Sequence, residues 1–114
     1  MNIKEIAESI SKHNFQNAYE YFSEDIVWNL IGGNIISGKE DVIKTCKESA
    51  EYLASVKTTF NSFQTYEAEN IIIIESSADY IDENNEKSVV SSCDIYKFAE
   101  NKLIEITSYN IETT

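Results

Sequence analysis

Near the N-terminus, Ile3, Ile6, Ala7 and Ile10 recur at the spacing of one helix face, and after Ser11–Asn14 a second apolar set, Phe15, Ala18, Tyr19 and Phe22, repeats that spacing. The pattern predicts a helix pair. From Ile26 the period falls to two: Ile26, Trp28 and Leu30 share one strand face and Val27, Asn29 and Ile31 the other, until Gly32 and Gly33 break the run into a turn. After Gly38, the positions Val42, Ile43, Cys46, Ala50 and Leu53 form one stripe, with Glu40 and Asp41 in the first turn, where acidic side chains complement the helix dipole. This predicts a third helix, of about four turns. β-rich runs fill the remainder, Val56–Ala68, Asn70–Ile81, Lys87–Phe98 and Lys102–Glu112, joined by polar turns at 82–87 and 99–101. The order α-α-β-α-β-β-β-β predicts one α+β domain over residues 1–114, with the helices packed on one face of a mostly antiparallel sheet.

A twisted sheet with helices on its concave side leaves a conical pocket between the layers, and such clefts are usual ligand sites. One face of the second long run carries Ile72, Ile74, Ser76, Ala78 and Tyr80, so side-chain bulk falls away at Ser76 and Ala78. That taper leaves either a void or room for a helix side chain. The opposite face, with Ile71 and Ile73, is too apolar at one end to suit water, and a homodimer through the sheet would cover it.

Composition narrows the partners. Seven tyrosines, five phenylalanines, one tryptophan and a hydrophobic fraction of 42% exceed what a disordered chain carries, despite a net charge of −11. All nine basic residues are lysines, so no guanidinium is present to grip a phosphate or a base edge, and nucleic acid and anionic membranes are both disfavoured. No apolar window is long enough to span a bilayer and the first residues carry acids where a signal peptide needs an apolar run, which predicts a cytoplasmic protein. Cys46 and Cys93 lack metal-ligand spacing and are expected as reduced thiols, and His13, the single histidine, leaves neither a metal set nor a Ser-His-Asp set to assemble. No cofactor motif is present: Gly32 and Gly33 lack the spacing of a nucleotide loop. His13 itself, between two helices, is expected to be exposed.

The candidate chemistry therefore rests on Asp94. With period two, Asp94 shares a face with Val90, Tyr96 and Phe98, and a carboxylate on an aromatic face must find a partner, stay protonated or face water. It serves either as a donor to a ligand carbonyl, as a general acid or base, or as a structural carboxylate. Trp28, which shares its strand face with Leu30, offers with Tyr19 and Tyr96 flat apolar walls with a polar tip, or else simple core packing. Asn110, on an inner face with Ile106 and Ser108, is expected to bond Asp94 or a ligand. The candidate site is thus Asp94 with Tyr19, Trp28, Leu30, Ile74, Ser76, Ala78, Tyr96, Ile106 and Asn110, and no metal.

The segments YFSEDIVWNLIGGNIISGKEDVIKTCKE and CDIYKFAENKLIEITSYNIE together resemble SnoaL-like proteins of the nuclear transport factor two-like superfamily, over nearly the whole chain. The resemblance implies a cone-shaped α+β barrel, frequent dimerisation through the sheet and a cavity that members use for isomerisation, dehydration, cyclisation, hydrolysis or binding. Ketosteroid isomerases of this superfamily use an aspartate base with an oxyanion hole of a tyrosine and a protonated aspartate. Matched to this sequence, the base falls at Leu30 or Asn29 and the tyrosine near Ile6, none of which serves, while the hydrogen-bonding aspartate falls at Asp94. The resemblance thus implies a protein that binds a small, largely apolar molecule, with cofactor-independent acid/base chemistry open and steroid isomerisation disfavoured. Two other readings stand beside it: a non-catalytic homodimeric scaffold with a filled interior, and an acidic subunit that docks on a cationic partner.

Overall fold

The computed structural model describes residues 1–113. Helix α1 (Ile3–Ser11) starts at a reciprocal cap: Asn2 Oδ1 accepts from the Glu5 amide at 2.8 Å and the Asn2 amide donates to Glu5 Oε1 at 2.9 Å. Two backbone donors that the helix would leave unpaired are satisfied in this way. Its face of Ile6, Ala7 and Ile10 is buried, as the spacing predicts.

The second predicted helix is a 3₁₀ helix, Phe15–Tyr21, rather than an α-helix. At three residues per turn, positions i and i+3 eclipse, so Phe15 and Ala18 are buried together. Tyr19 is left half-buried beside Phe22, edge to ring at 5.8 Å.

The strands are β1 (Phe22–Leu30), β2 (Ile35–Ser37), β3 (Lys57–Ala68), β4 (Ile71–Ile81), β5 (Lys87–Ala99) and β6 (Lys102–Glu112), with helix α2 (Lys39–Ala54) between β2 and β3. They form one six-stranded sheet in the order β2-β1-β6-β5-β4-β3, antiparallel except for the parallel pair β1–β6. The α+β class and the mostly antiparallel sheet agree with the sequence reading. Two details differ. The glycine turn after β1 continues into the short strand β2, which pairs Val27 with Ser37 and Asn29 with Ile35. The sheet is also open, with β2 and β3 at its edges, where the resemblance implies a barrel.

Gly38 joins β2 to α2 at φ +95°, with its amide bonded to the Ile26 carbonyl at 2.8 Å, a backbone conformation that a side chain would strain. Hairpin β5–β6 turns on Glu100 and Asn101, both at positive φ, as a two-residue primed turn requires.

Helix α1 lies over β3, β4 and β5, and α2 over β1 and β2, so both helices cover one face of the sheet. One core cluster unites Ile6, Ile10, Phe22, Ile26, Val42, Cys46, Ile72, Ile74, Tyr96, Leu103 and Ile106. Helix α2 contributes only its first half: Val42 and Cys46 are buried, Leu53 is half-buried, and Ala50, read as part of the stripe, is exposed. Its second half overhangs open space. Both cysteines are free thiols, and burial pushes Cys46 up to about 12.

Among the described residues no element covers the opposite face of the sheet. There Ile73 stands across from Ile95, Cys93 from Tyr109 and Ser91 from Ile111. Tyr109 and Ile111 are 42% and 63% exposed.

Candidate functional site

The period-two alternation of β5 sets Asp94 and Tyr96 on the covered face, and α1 ends above them at Ser11. Ser11 Oγ donates to Asp94 Oδ2 at 2.8 Å and lies 2.7 Å from the Tyr96 hydroxyl. A serine has one proton to give, and here it goes to the carboxylate, so the Tyr96 hydroxyl is the donor to Ser11. The register of β5 on β6 sets Ser108 directly across from Asp94, and the parallel register of β6 on β1 brings Trp28 alongside. Trp28 Nε1 donates to Ser108 Oγ at 3.0 Å, and Ser108, directly across from Asp94, lies near enough to the carboxyl to oppose the rise of its pKa.

One donor relay, Tyr96 through Ser11, ends on the carboxyl, and a second pair, Trp28 with Ser108, stands beside it. Tyr96, Ser11 and Ser108 are all buried. Asp94 is enclosed by protein on these sides, and burial raises its pKa, while the hydroxyls of Ser108, Ser11 and Tyr96 around it oppose the rise. No lysine pairs with it among the described residues. Burial, and then the charge of Asp94, raise the Tyr96 pKa well above its usual value.

Asp94 lines an open cleft of about 730 Å³ between the sheet, the end of α1 and the second half of α2. Trp28, Leu30, Phe60 and Val90 give it apolar walls, and Thr45, Ser49 and Tyr52 of α2 face it from above. Across its floor Ser76, Ser92 and Asn110 stand in one transverse row on β4, β5 and β6. Glu48 and Glu112 line it as well, and no lysine does.

Of the residues singled out from sequence, Asp94, Trp28, Leu30, Ser76, Tyr96 and Asn110 meet on this cleft. The others lie elsewhere. Ile74 and Ile106 are fully buried in the core cluster and Ala78 is buried across from Phe60 and Val90, because sharing a strand face with Ser76 or Asn110 does not bring a residue to the open part of that face. Tyr19, turned by the 3₁₀ geometry, lines a separate depression with Lys47 and Glu51. Asn110 does not bond Asp94: it stands across from Ser92, whose hydroxyl donates to Asn110 Oδ1 at 2.7 Å, while Ser108 takes the place beside the carboxyl. Ile6, matched to the isomerase tyrosine, is fully buried.

Sequence reasoning missed His13 and Tyr80. The end of α1 forms a Schellman motif, in which the Asn14 amide bonds the Ser9 carbonyl at 2.8 Å and the His13 amide bonds the Ile10 carbonyl at 2.9 Å. Such a motif needs a left-handed residue after the cap, usually glycine, and His13 fills that position at φ +70°. A side chain there costs roughly 1–2 kcal/mol. The imidazole is half-buried rather than exposed, among Phe15, Phe60 and Tyr80 with ring centroids 5.8, 5.6 and 6.2 Å away. Its Nε2 lies 3.1 Å from the Tyr80 hydroxyl, and both residues line the cleft. Burial lowers the His13 pKa, so the ring is held neutral. The signal legible in the sequence was a helix C-terminus closed without a glycine.

No family model matches the chain, and no curated protein compared with it matches either. Solved structures do. An NTF2-like protein of unknown function from Cytophaga hutchinsonii is 34% identical, with 94% of each chain covered and a TM-score of 0.84. An NTF2-like protein from Anabaena variabilis superposes with a TM-score of 0.76 at 12% identity, over 96% of this chain and 89% of that one. A protein from Jannaschia, named for its likeness to SnoaL polyketide cyclases, superposes with a TM-score of 0.73 at 8% identity, over 93% of this chain and 83% of that one. These two distant likenesses speak to the fold, and the first speaks to descent as well. The chain belongs to the NTF2-like family, whose fold the SnoaL-like proteins share.

Proposed function

We propose that this protein binds a small, neutral molecule with an apolar body in the cleft above Asp94, and that Asp94 is its principal polar contact and the group able to exchange a proton with it. The observation that carries this reading is a carboxyl that faces the cleft without a cationic partner, bonded by the Tyr96–Ser11 relay and flanked by Ser108, the acceptor of Trp28. Purely structural carboxylates are normally neutralised by a lysine, an arginine or a helix end. Here the compensation consists of hydrogen bonds alone, which leaves a basic, partly desolvated oxygen beside open space. The cleft has no lysine and two glutamates beside it, which argues against an anionic ligand. Its volume argues against an interior filled by the protein's own side chains. Steroid isomerisation in its familiar form is disfavoured, since Leu30 and Ile6 cannot replace the base and the tyrosine.

The uncovered sheet face, with Ile73, Ile95, Tyr109 and Ile111, supports a homodimer through the sheet, and two free thiols suit a reducing compartment such as the cytoplasm. The test of the ligand reading is thermal unfolding of the wild type and Asp94→Asn against steroids, aromatic polyketides and small carbonyl compounds. A ligand at about 100 times its dissociation constant adds about 2.7 kcal/mol of stability. A compound class that raises the melting temperature of the wild type and loses most of its effect in Asp94→Asn supports the reading. If every binder acts equally on both proteins, Asp94 is not the contact and the reading fails.

A further inference from the structure

The cleft has a second polar pole, on the far side from Asp94. Tyr80 sits on β4, six positions along from Ile74, the residue directly across from Asp94, and on the same face. Its hydroxyl is bonded to His13 Nε2 at 3.1 Å, and both side chains open on the cleft. His13 reaches this place only because a left-handed backbone position, where glycine would be unstrained, carries a side chain instead. Phe15 and Phe60 hold the ring on its other sides.

From this geometry, and resting on the reading of the cleft given above, we propose that Tyr80 is a hydrogen-bond donor to a ligand oxygen, positioned by His13, and that the cleft therefore selects neutral ring compounds bearing a hydroxyl at one end and a carbonyl at the other. The hydroxyl goes to Asp94, which the Tyr96–Ser11 relay leaves as an acceptor. The carbonyl goes to Tyr80. For this His13 carries its proton on Nε2 and donates it to the tyrosine oxygen, which frees the Tyr80 hydroxyl hydrogen to point into the cleft. That proton stays on Tyr80: burial first, then the charges of Asp94 and Tyr52, raise its pKa. With no lysine on the cleft, a phenol is the strongest donor left to meet an uncharged oxygen at that end.

The probes are 4-hydroxyacetophenone, which has both groups, phenol, which lacks the carbonyl, and acetophenone, which lacks the hydroxyl. Binding is followed calorimetrically and by the fluorescence of Trp28, the single tryptophan, which lines the cleft. The expected result is a crossed pattern. Tyr80→Phe weakens 4-hydroxyacetophenone and acetophenone about five- to tenfold and leaves phenol unchanged, whereas Asp94→Asn weakens 4-hydroxyacetophenone and phenol and leaves acetophenone unchanged. His13→Gly, which keeps the helix cap, follows Tyr80→Phe. Two readouts separate positioning from mere structure: the carbonyl carbon resonance of bound, labelled 4-hydroxyacetophenone moves downfield in the wild type and not in Tyr80→Phe, and the ¹⁵N shifts of His13 report the Nε2-protonated tautomer. If Asp94→Asn shows its effect while Tyr80→Phe and His13→Gly bind all three probes like the wild type, the second pole is refuted and the Asp94 reading stands. If no probe is sensitive to Asp94, both fall.

Discussion

The left-handed conformation at His13 gives a prediction whose size follows from the structure. Two variants, His13→Gly and His13→Ala, remove the same imidazole, the same bond to Tyr80 and the same ring contacts with Phe15 and Phe60. They differ by one methyl group at a residue held at φ +70°. Keeping a Cβ in that conformation costs roughly 1–2 kcal/mol. Glycine loses part of this advantage, about 0.4–1 kcal/mol, to its greater freedom in the unfolded chain. The net expectation is that the glycine variant is more stable than the alanine variant by about 1 kcal/mol, or near 4 °C in melting temperature for a domain of this size. Against the wild type, alanine should be clearly weaker, since it keeps the strain and loses the contacts, while glycine should fall close to it. Urea unfolding with a shared slope measures both differences. If His13→Ala is as stable as His13→Gly, residue 13 is not locked in the left-handed region, and the argument that the imidazole is held there at the expense of the fold collapses.

Three further outcomes follow from the same geometry. Because burial raises the folded-state pKa of Asp94 above its ordinary 3.8, the native state holds the proton more tightly than the unfolded chain, so this group's stabilisation is complete below that value and is lost as pH rises through the folded pKa; the difference in melting temperature between the wild type and Asp94→Asn should therefore shift in favour of the variant between pH 3.5 and pH 7, and a constant difference would contradict it. Ser108→Ala leaves the buried Trp28 Nε1 without its acceptor at 3.0 Å and should cost about 1–3 kcal/mol, with a blue shift of Trp28 fluorescence; unchanged stability and emission would refute it. Ile95→Lys places a charge at the centre of the uncovered sheet face, across from Ile73, and should turn the proposed dimer into a folded monomer by light scattering; a mass the same as the wild type's would refute this face as an interface.

Most of the sheet was legible because a period of two fixes which side chains share a face, whatever the partner strand. That is why Trp28, Leu30, Ser76, Asp94 and Asn110 were placed on the covered face without a structure. Register was not legible. The choice between Ser108 and Asn110 as the partner of Asp94 depends on a two-residue offset between β5 and β6, and the hydrophobic pattern is the same in either case. The distinction between α and 3₁₀ at Phe15–Tyr21 was hidden too, since Phe15 and Ala18, three residues apart, fit both periods, and it decided the fate of Tyr19. Strand β2 has three residues, too few to carry a period. His13 was misjudged for another reason: exposure was read from its position between helices, whereas its direction is set by the left-handed backbone angle that closes α1.

The concessions this chain makes to good local structure are not scattered. Its other left-handed residues occupy polar turns, three of them asparagines, Asn70, Asn85 and Asn101, which tolerate that conformation well. Glu100 belongs to a two-residue hairpin turn that demands it. The buried tyrosine and tryptophan heads have partners, and among the described residues no buried side-chain polar atom lacks one. Against that background three departures gather at a single place: a histidine where a glycine closes a helix more comfortably, a carboxyl enclosed without a cation, and a row of short polar side chains on the sheet face where a core would take aliphatic ones. A fold optimised for packing alone has no reason to bring these together, because each lowers stability and none compensates another. Local rules broken independently at the end of α1 and on β4, β5 and β6, and meeting around one open volume, are the pattern that the proposed binding site accounts for and packing does not.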